Sequence, residues 1–245
     1  MSMAPSVQRV RTAPPPGLRG LLARLLALFL LVLAGYHGWL FCQVWRLRDH
    51  NPGTTAFMQR GLEHLRSGDP GARLQHRWVP YDEISINLKL AVIAAEDQKF
   101  LDHEGFDVDE IHKAYEKNAR SGRIRRGGST ISQQLAKNLF LAPPRTYLRK
   151  AHEAVITLMI EHVLSKRRIL EVYLNVIEWG DGIYGAEAAA QHYYGEPAAD
   201  LAPEEAARLA AMIPNPRSYT NNPSTPYLDE RTEILLDEME HMRVP

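Results

Sequence analysis

From Leu25 to Val44 the chain runs LLALFLLVLAGYHGWLFCQV, 20 residues without a formal charge. An α-helix of that length crosses a hydrocarbon layer of about 30 Å, and no other segment of the sequence is apolar enough to do so. Arg9, Arg11, Arg19 and Arg24 precede the run, whereas Arg46, Arg48 and Asp49 follow it. The excess of arginine ahead of the run predicts an N-terminus on the cytoplasmic side and an exported remainder. Tyr36, Trp39 and Trp45 are amphipathic aromatics suited to the outer interface. No small-x-small pattern follows the run, so a retained anchor is favoured over a cleaved signal peptide. The expected division is a cytoplasmic tail over 1–24, a transmembrane helix over 25–45, a polar, turn-rich stalk over 46–80 and one domain over 81–245. The single cysteine, Cys42, lies within the span, which excludes an internal disulfide.

The exported part reads as mainly α-helical. A short helix is expected around Phe57 to Leu65, within the stalk. Leu88, Val92 and Ala95 share a face that leads to Glu96. Thr130 and Gln133 form a T-x-x-Q capping box, with Ile131, Leu135 and Leu139 behind it. Leu148, Val155, Leu158, Met159 and Val163 stripe a long helix. Pro203 and Pro226 suit the first turns of two more helices, with Glu204 and Glu205 near a helix N-terminus. Alternating strand patterns are hardly visible. The whole chain balances 29 basic against 29 acidic side chains, but its charge is segregated. Residues 82–110 hold 9 acids and 2 bases, residues 111–168 hold 13 bases and 3 acids, and residues 196–245 hold 10 acids and 4 bases. Lys113, Lys117, Arg120, Arg123, Arg125 and Arg126 crowd beside the Gly127-Gly128 turn. Such a basic centre fits a polyanionic ligand, and the export signal argues against nucleic acid as that ligand.

Four blocks carry candidate chemistry. The first is EDQKFLDHEGFD, residues 96–107. A carboxylate such as Glu96 at the end of an apolar helix is partly desolvated, which suits it to proton transfer. His103 with Asp102 and Asp107 lacks the spacing of a metal-ligand set. The second block is GGSTISQQLAKN, residues 127–138. Its glycines leave backbone N–H groups open to an anion or sugar oxygen, and Gln133, Gln134 and Lys137 add polar reach. The third places Arg145, Arg149 and Glu153 four residues apart on one helix face, with Lys150 beside them. The fourth is KRRILEVYLN, residues 166–175, continuing to Glu178; its apolar positions read as core, with Asn175 and Glu178 as polar struts.

These blocks, in this order, resemble the signature of the biosynthetic peptidoglycan glycosyltransferases over roughly residues 80–220. IAAEDQKFLDHEGFD resembles the first motif of that family, GGSTISQQLAKN the second, RKAHE the third, and KRRILEVYLN with EWGDGIYGAEAAAQHYYG the fourth. LAPEEAARLAAMIPNPRSY resembles the final block. No serine is followed three residues later by lysine and no K-T-G occurs, so the resemblance is to the monofunctional form, without transpeptidation. It implies a lysozyme-like, all-helical fold in the cytoplasmic membrane of a bacterium, with the domain on the periplasmic face. It implies polymerisation of lipid II onto a growing glycan strand, with inversion and release of polyprenyl pyrophosphate. By position, Glu96 would be the base and Glu153 the second site carboxylate, with Asp97 supporting the loop. Lys137, Arg145, Arg149 and Lys150 would offset phosphate charge, and Thr130, Gln133 and Gln134 would line the substrate cleft. A divalent cation, Mg²⁺ or Mn²⁺, is a further family expectation, although no ligand cage is legible. Contact with membrane lipid around Leu139 to Leu148 and encounters with cell-wall synthesis or division proteins complete the expected partners.

Overall fold

The structure is a computed structural model that describes residues 17–121, 128–141, 146–222 and 224–245. The side chains of Lys117, Arg120, Arg123, Arg125, Arg126 and Arg145 lie outside the described residues, as do Arg9 and Arg11. The chain divides into two units, residues 1–42 and residues 43–245.

Helix α1 covers Leu18–Arg46. Its apolar stretch has a mean hydropathy of 2.0 and is 6% buried. Leu25, Leu26, Leu28, Phe29 and Leu31 are exposed, the apolar surface of a candidate membrane span. Tyr36 stacks on Trp39 with ring centroids 6.2 Å apart. The helix begins seven residues before the uncharged run, because backbone hydrogen bonding continues through Arg19 and Arg24 whatever their polarity.

The second unit is helical with one small sheet. Helix α2 (Ala56–Gly68) is capped by Thr55, whose hydroxyl accepts from the Met58 N–H. Strand β1 (Gln75–His76) and a 3₁₀ turn at Tyr81–Glu83 lead to α3 (Ile86–Glu96). Then come α4 (Val108–Ser121), α5 (Ile131–Phe140), α6 (Tyr147–Val163) and α7 (Lys166–Val176). Strands β2 (Glu178–Gly180) and β3 (Ile183–Tyr184) precede α8 (Ala186–Tyr193), α9 (Pro203–Met212), α10 (Pro216–Tyr219) and α11 (Pro226–Met239). The strands lie in the order β1-β3-β2, with β1 parallel and β2 antiparallel to β3. At two or three residues each, they are too short to display a period, which is why the sequence hardly shows them.

Two helical groups position the site. Helix α3 packs against α9 and α11. Ala206, Ala207, Ala210 and Ala211 of α9 are buried and small enough to let its neighbours approach closely, while α11 inserts Leu228, Thr232, Leu235 and Met239 from one face. Helix α5 packs against α2, α6 and α7. Helix α7 is the centre of the unit: from Ile169 to Val176 only Glu171 is not buried. Asn175 splices α7 to the chain before α3. Its Oδ1 accepts the Val79 N–H at 2.9 Å and its Nδ2 donates to the Val79 carbonyl at 3.0 Å, the polar strut expected of it.

Two expectations need correction. Residues 56–76, read as part of a stalk, are packed into the domain. Strand β1 pairs with β3 and α2 packs on α5, and at Gly61 an added Cβ would lie 2.1 Å from the Tyr184 hydroxyl. The segment is polar because only one face of α2 is covered. The stripe on α6 is not its buried face either. Leu148 and Leu158 are 82% and 57% exposed, while Glu153, Ile156, Thr157 and Ile160 face inward. Spacing shows that a face exists but not which way it turns.

Candidate active site

The loop from Asp97 to Asp107 is fastened to the start of α5. Asp97, a buried carboxylate, accepts the Ile131 N–H at 3.0 Å with Oδ2 and pairs with His103 Nε2 at 2.9 Å through Oδ1. The other ring nitrogen of His103 accepts the Gly105 N–H at 3.1 Å, so Nε2 carries the proton and donates to Asp97. A carboxylate at a helix N-terminus also answers its exposed N–H groups. Thr130 donates its hydroxyl proton to the Gly105 carbonyl at 2.7 Å and accepts the Gln133 N–H at 3.2 Å, while Gln133 Oε1 accepts the Thr130 N–H at 3.1 Å. This is the capping box read from the sequence. Thr130 and Gln133 are both 3% exposed. The Thr130 hydroxyl and Gln133 Oε1 are both engaged in the cap that starts α5.

Glu96 ends α3 and meets α5. Gln134 Nε2 donates to Glu96 Oε2 at 2.6 Å. Burial is the largest influence on the Glu96 carboxyl and raises its pKa above the ordinary value. The Gln134 hydrogen bond, Lys137 and Arg231 pull it back, and Asp97 adds to the rise. Lys137, one turn beyond Gln134, also has its ammonium 6.0 Å from the Phe57 ring of α2. A carboxylate whose pKa is raised by burial, with cations close by, is equipped to take a proton. A recess of about 320 Å³ lies against the same loop, bounded by Lys99, His103 and Asp107, and contains neither Glu96 nor Glu153.

Glu153 is 3% exposed on the inner face of α6. Arg149 reaches its Oε2 at 3.1 Å, and the Lys150 ammonium holds Oε1. A buried carboxylate without partners would be costly, so these cations are what allow it to be there, and Glu153 in turn fixes their direction. Lys150 remains half exposed. Arg145, the remaining cation expected of this cluster, lies outside the described residues. The structure thus gathers Glu96, Gln134 and Lys137 in one group and Glu153, Arg149 and Lys150 in another, with α5 packed directly on α6. As a metal centre the fit is poor. Among the described residues no three His, Cys, Asp or Glu side chains converge, and both Glu153 oxygens are occupied by cations of its own helix.

Comparison with known proteins settles the family. The transglycosylase family model matches residues 63–240. The chain belongs to the transglycosylase family. A biosynthetic peptidoglycan transglycosylase of Azoarcus sp. (strain BH72) is 65% identical over 195 residues, covering 80% of this chain and 84% of that protein. Those of Nitrosospira multiformis and Dechloromonas aromatica are 55% identical over 222 residues and 56% identical over 228 residues. They cover 91% and 93% of this chain, and 96% and 97% of their own lengths.

The transglycosylase match begins inside α2, so it includes part of the segment read as a stalk. Three site contributors escaped the sequence reading. Tyr173 of α7 donates its hydroxyl to Gln134 Oε1 at 3.0 Å, and Arg231 of α11 acts on Glu96 through its charge. Lys166 donates to the His103 carbonyl at 2.6 Å and to Glu161 at 2.8 Å, bracing the loop from α7. Tyr173 sits in an apolar periodic run and reads as core, which it also is. A polar atom at the tip of a buried ring is the signal that it needs a partner.

Proposed function

We propose that this chain is a peptidoglycan glycosyltransferase that polymerises lipid II. The observation that carries the reading is the Glu96 carboxylate, raised in pKa and gripped by Gln134, at the junction of α3 and α5. The names of the relatives support the substrate, and the motif blocks support the roles. Glu96 removes the proton from the 4-hydroxyl of the incoming lipid II as that oxygen attacks the anomeric carbon of the growing strand. The bond from that carbon to pyrophosphate breaks with inversion, polyprenyl pyrophosphate departs with the electron pair, and the proton remains on Glu96. Negative charge accumulates on the leaving group, and fixed cations lower the barrier most where charge develops. Lys137, Arg149 and Lys150 supply them, and Glu153 keeps the last two aimed.

Helix α1 is assigned as the membrane anchor, with the N-terminus cytoplasmic and the domain on the outer face; the arginines at 19 and 24 support this orientation. A substrate tethered to the bilayer is then met at high effective concentration. Leu148, Leu158 and Tyr147, exposed on α6, are suited to lipid contact.

The test is polymerisation of lipid II by the purified full-length protein in detergent, beside Glu96→Gln. Long glycan chains from the wild type alone are expected. Polymer from the variant removes Glu96 as the base, and none from the folded wild type overturns the reading.

A further inference from the structure

Tyr173 is fully buried in α7, yet its hydroxyl does not end in the core. It donates to Gln134 Oε1 at 3.0 Å, and Gln134 passes the interaction on through Nε2, which donates to Glu96 Oε2 at 2.6 Å and approaches the Ser129 carbonyl at 3.4 Å. The direction of this relay matters. An amide has an accepting end and a donating end, whereas an ionised carboxylate and a carbonyl only accept. With Nε2 toward Glu96 and Ser129, both are satisfied, and Oε1 is left needing a donor on the far side. The phenol is that donor. Burial and the neighbouring charges of Glu96 and Asp97 push its pKa well above the ordinary value, so the proton stays on the oxygen. If the amide turned over, Oε1 would face two acceptors, and Glu96 could satisfy it only by becoming protonated. The orientation of one amide therefore decides which protonation state of Glu96 the site favours, and the Tyr173 O–H, donating to Oε1, reinforces the orientation that Glu96 and Ser129 set.

We propose that Tyr173 is a positioning residue for glycosyl transfer: its hydroxyl locks the Gln134 amide with the N–H toward Glu96, keeping that carboxylate ionised and aimed. The inference rests on the reading of Glu96 as the base. Tyr173, fully buried, acts through Gln134. The phenol oxygen is the only atom at stake, since the ring fills the core equally well as phenylalanine.

The experiment is the pH dependence of kcat/KM for lipid II polymerisation by full-length wild type, Tyr173→Phe, Gln134→Met and the double variant, with Glu96→Gln as reference. Thermal melts accompany each. Tyr173→Phe is expected to lose roughly tenfold in kcat with little change in KM, and to move the acidic limb to higher pH. Gln134→Met is expected to move the limb in the same direction, and the double variant to be no worse than Gln134→Met alone, because both act through one amide. An unmoved limb in a folded Tyr173→Phe overturns the proposal, as does additivity of the two substitutions. Should the phenylalanine variant not fold, an unmoved limb in Gln134→Met overturns it equally. Activity in Glu96→Gln is a separate failure, that of the base assignment, and is read before any of these.

Discussion

The role proposed for Glu96 asks it to be buried enough to be a base and ionised often enough to act as one, and these demands oppose each other. Its folded-state pKa is raised, with burial as the leading cause. Above the unfolded carboxylate pKa, the ionised form therefore costs the fold stability, and that cost disappears as pH falls below it. Glu96→Gln should consequently abolish turnover and raise the melting temperature at neutral pH, which a thermal melt beside the polymerisation assay checks. As a base, Glu96 works only when deprotonated, so kcat/KM of the wild type should fall as pH drops through a value above the ordinary carboxylate range. An acidic limb at or below that range would contradict the assignment. Gly105 carries a different constraint. Its φ is +88°, and an added Cβ would lie 2.8 Å from Thr157 Cγ2 and 3.0 Å from Glu161 Cγ. Gly105→Ala should destabilise by about 1–3 kcal/mol and reduce activity by shifting the loop that holds Asp97, measured by denaturant unfolding. The candidate carboxylates were legible at this scale, because motif and local burial name them. Their partners were not.

Among the elements, α5 joins the parts of the site: it presents Gln134 and Lys137 and receives Asp97 at its first turn. Its start was readable from Thr130 and Gln133, because a capping box is a bond between near neighbours in the chain. The bond from the Thr130 hydroxyl to the Gly105 carbonyl was not readable, since it joins residues 25 apart in the chain. Thr130→Ala removes the hydroxyl that binds both the Gln133 N–H and the Gly105 carbonyl, and should cost about 1–3 kcal/mol. Thr130→Ser should restore most of it, with urea unfolding midpoints as the measure. Helix α6 teaches the opposite lesson. Its apolar stripe is legible, but the inward face is the one on which Ile156 and Ile160 are joined by Thr157 and by Glu153, whose charge is answered by Arg149 and Lys150.

Over the whole molecule, the proposed membrane anchoring predicts that the exposed Leu148 and Leu158 are used where a lipid-linked substrate resides. A Leu148→Ser/Leu158→Ser double variant should keep stability within about 0.5 kcal/mol per site, as exposed substitutions do. It should lose more turnover with lipid II in vesicles than in detergent. Equal loss in both would count against lipid contact. The apolar span, the mainly helical character, the caps and the four motif blocks were all determined by the sequence alone, because each depends on residues a few positions apart. The link from Glu96 to Gln134 joins residues 38 apart, that from Gln134 to Tyr173 joins residues 39 apart, and that from Asp97 to Ile131 joins residues 34 apart. Nothing local specifies such pairings. They exist because α3 packs against α9 and α11 while α5 packs against α6 and α7, and only that tertiary arrangement decides which polar atoms meet where α3 ends beside α5.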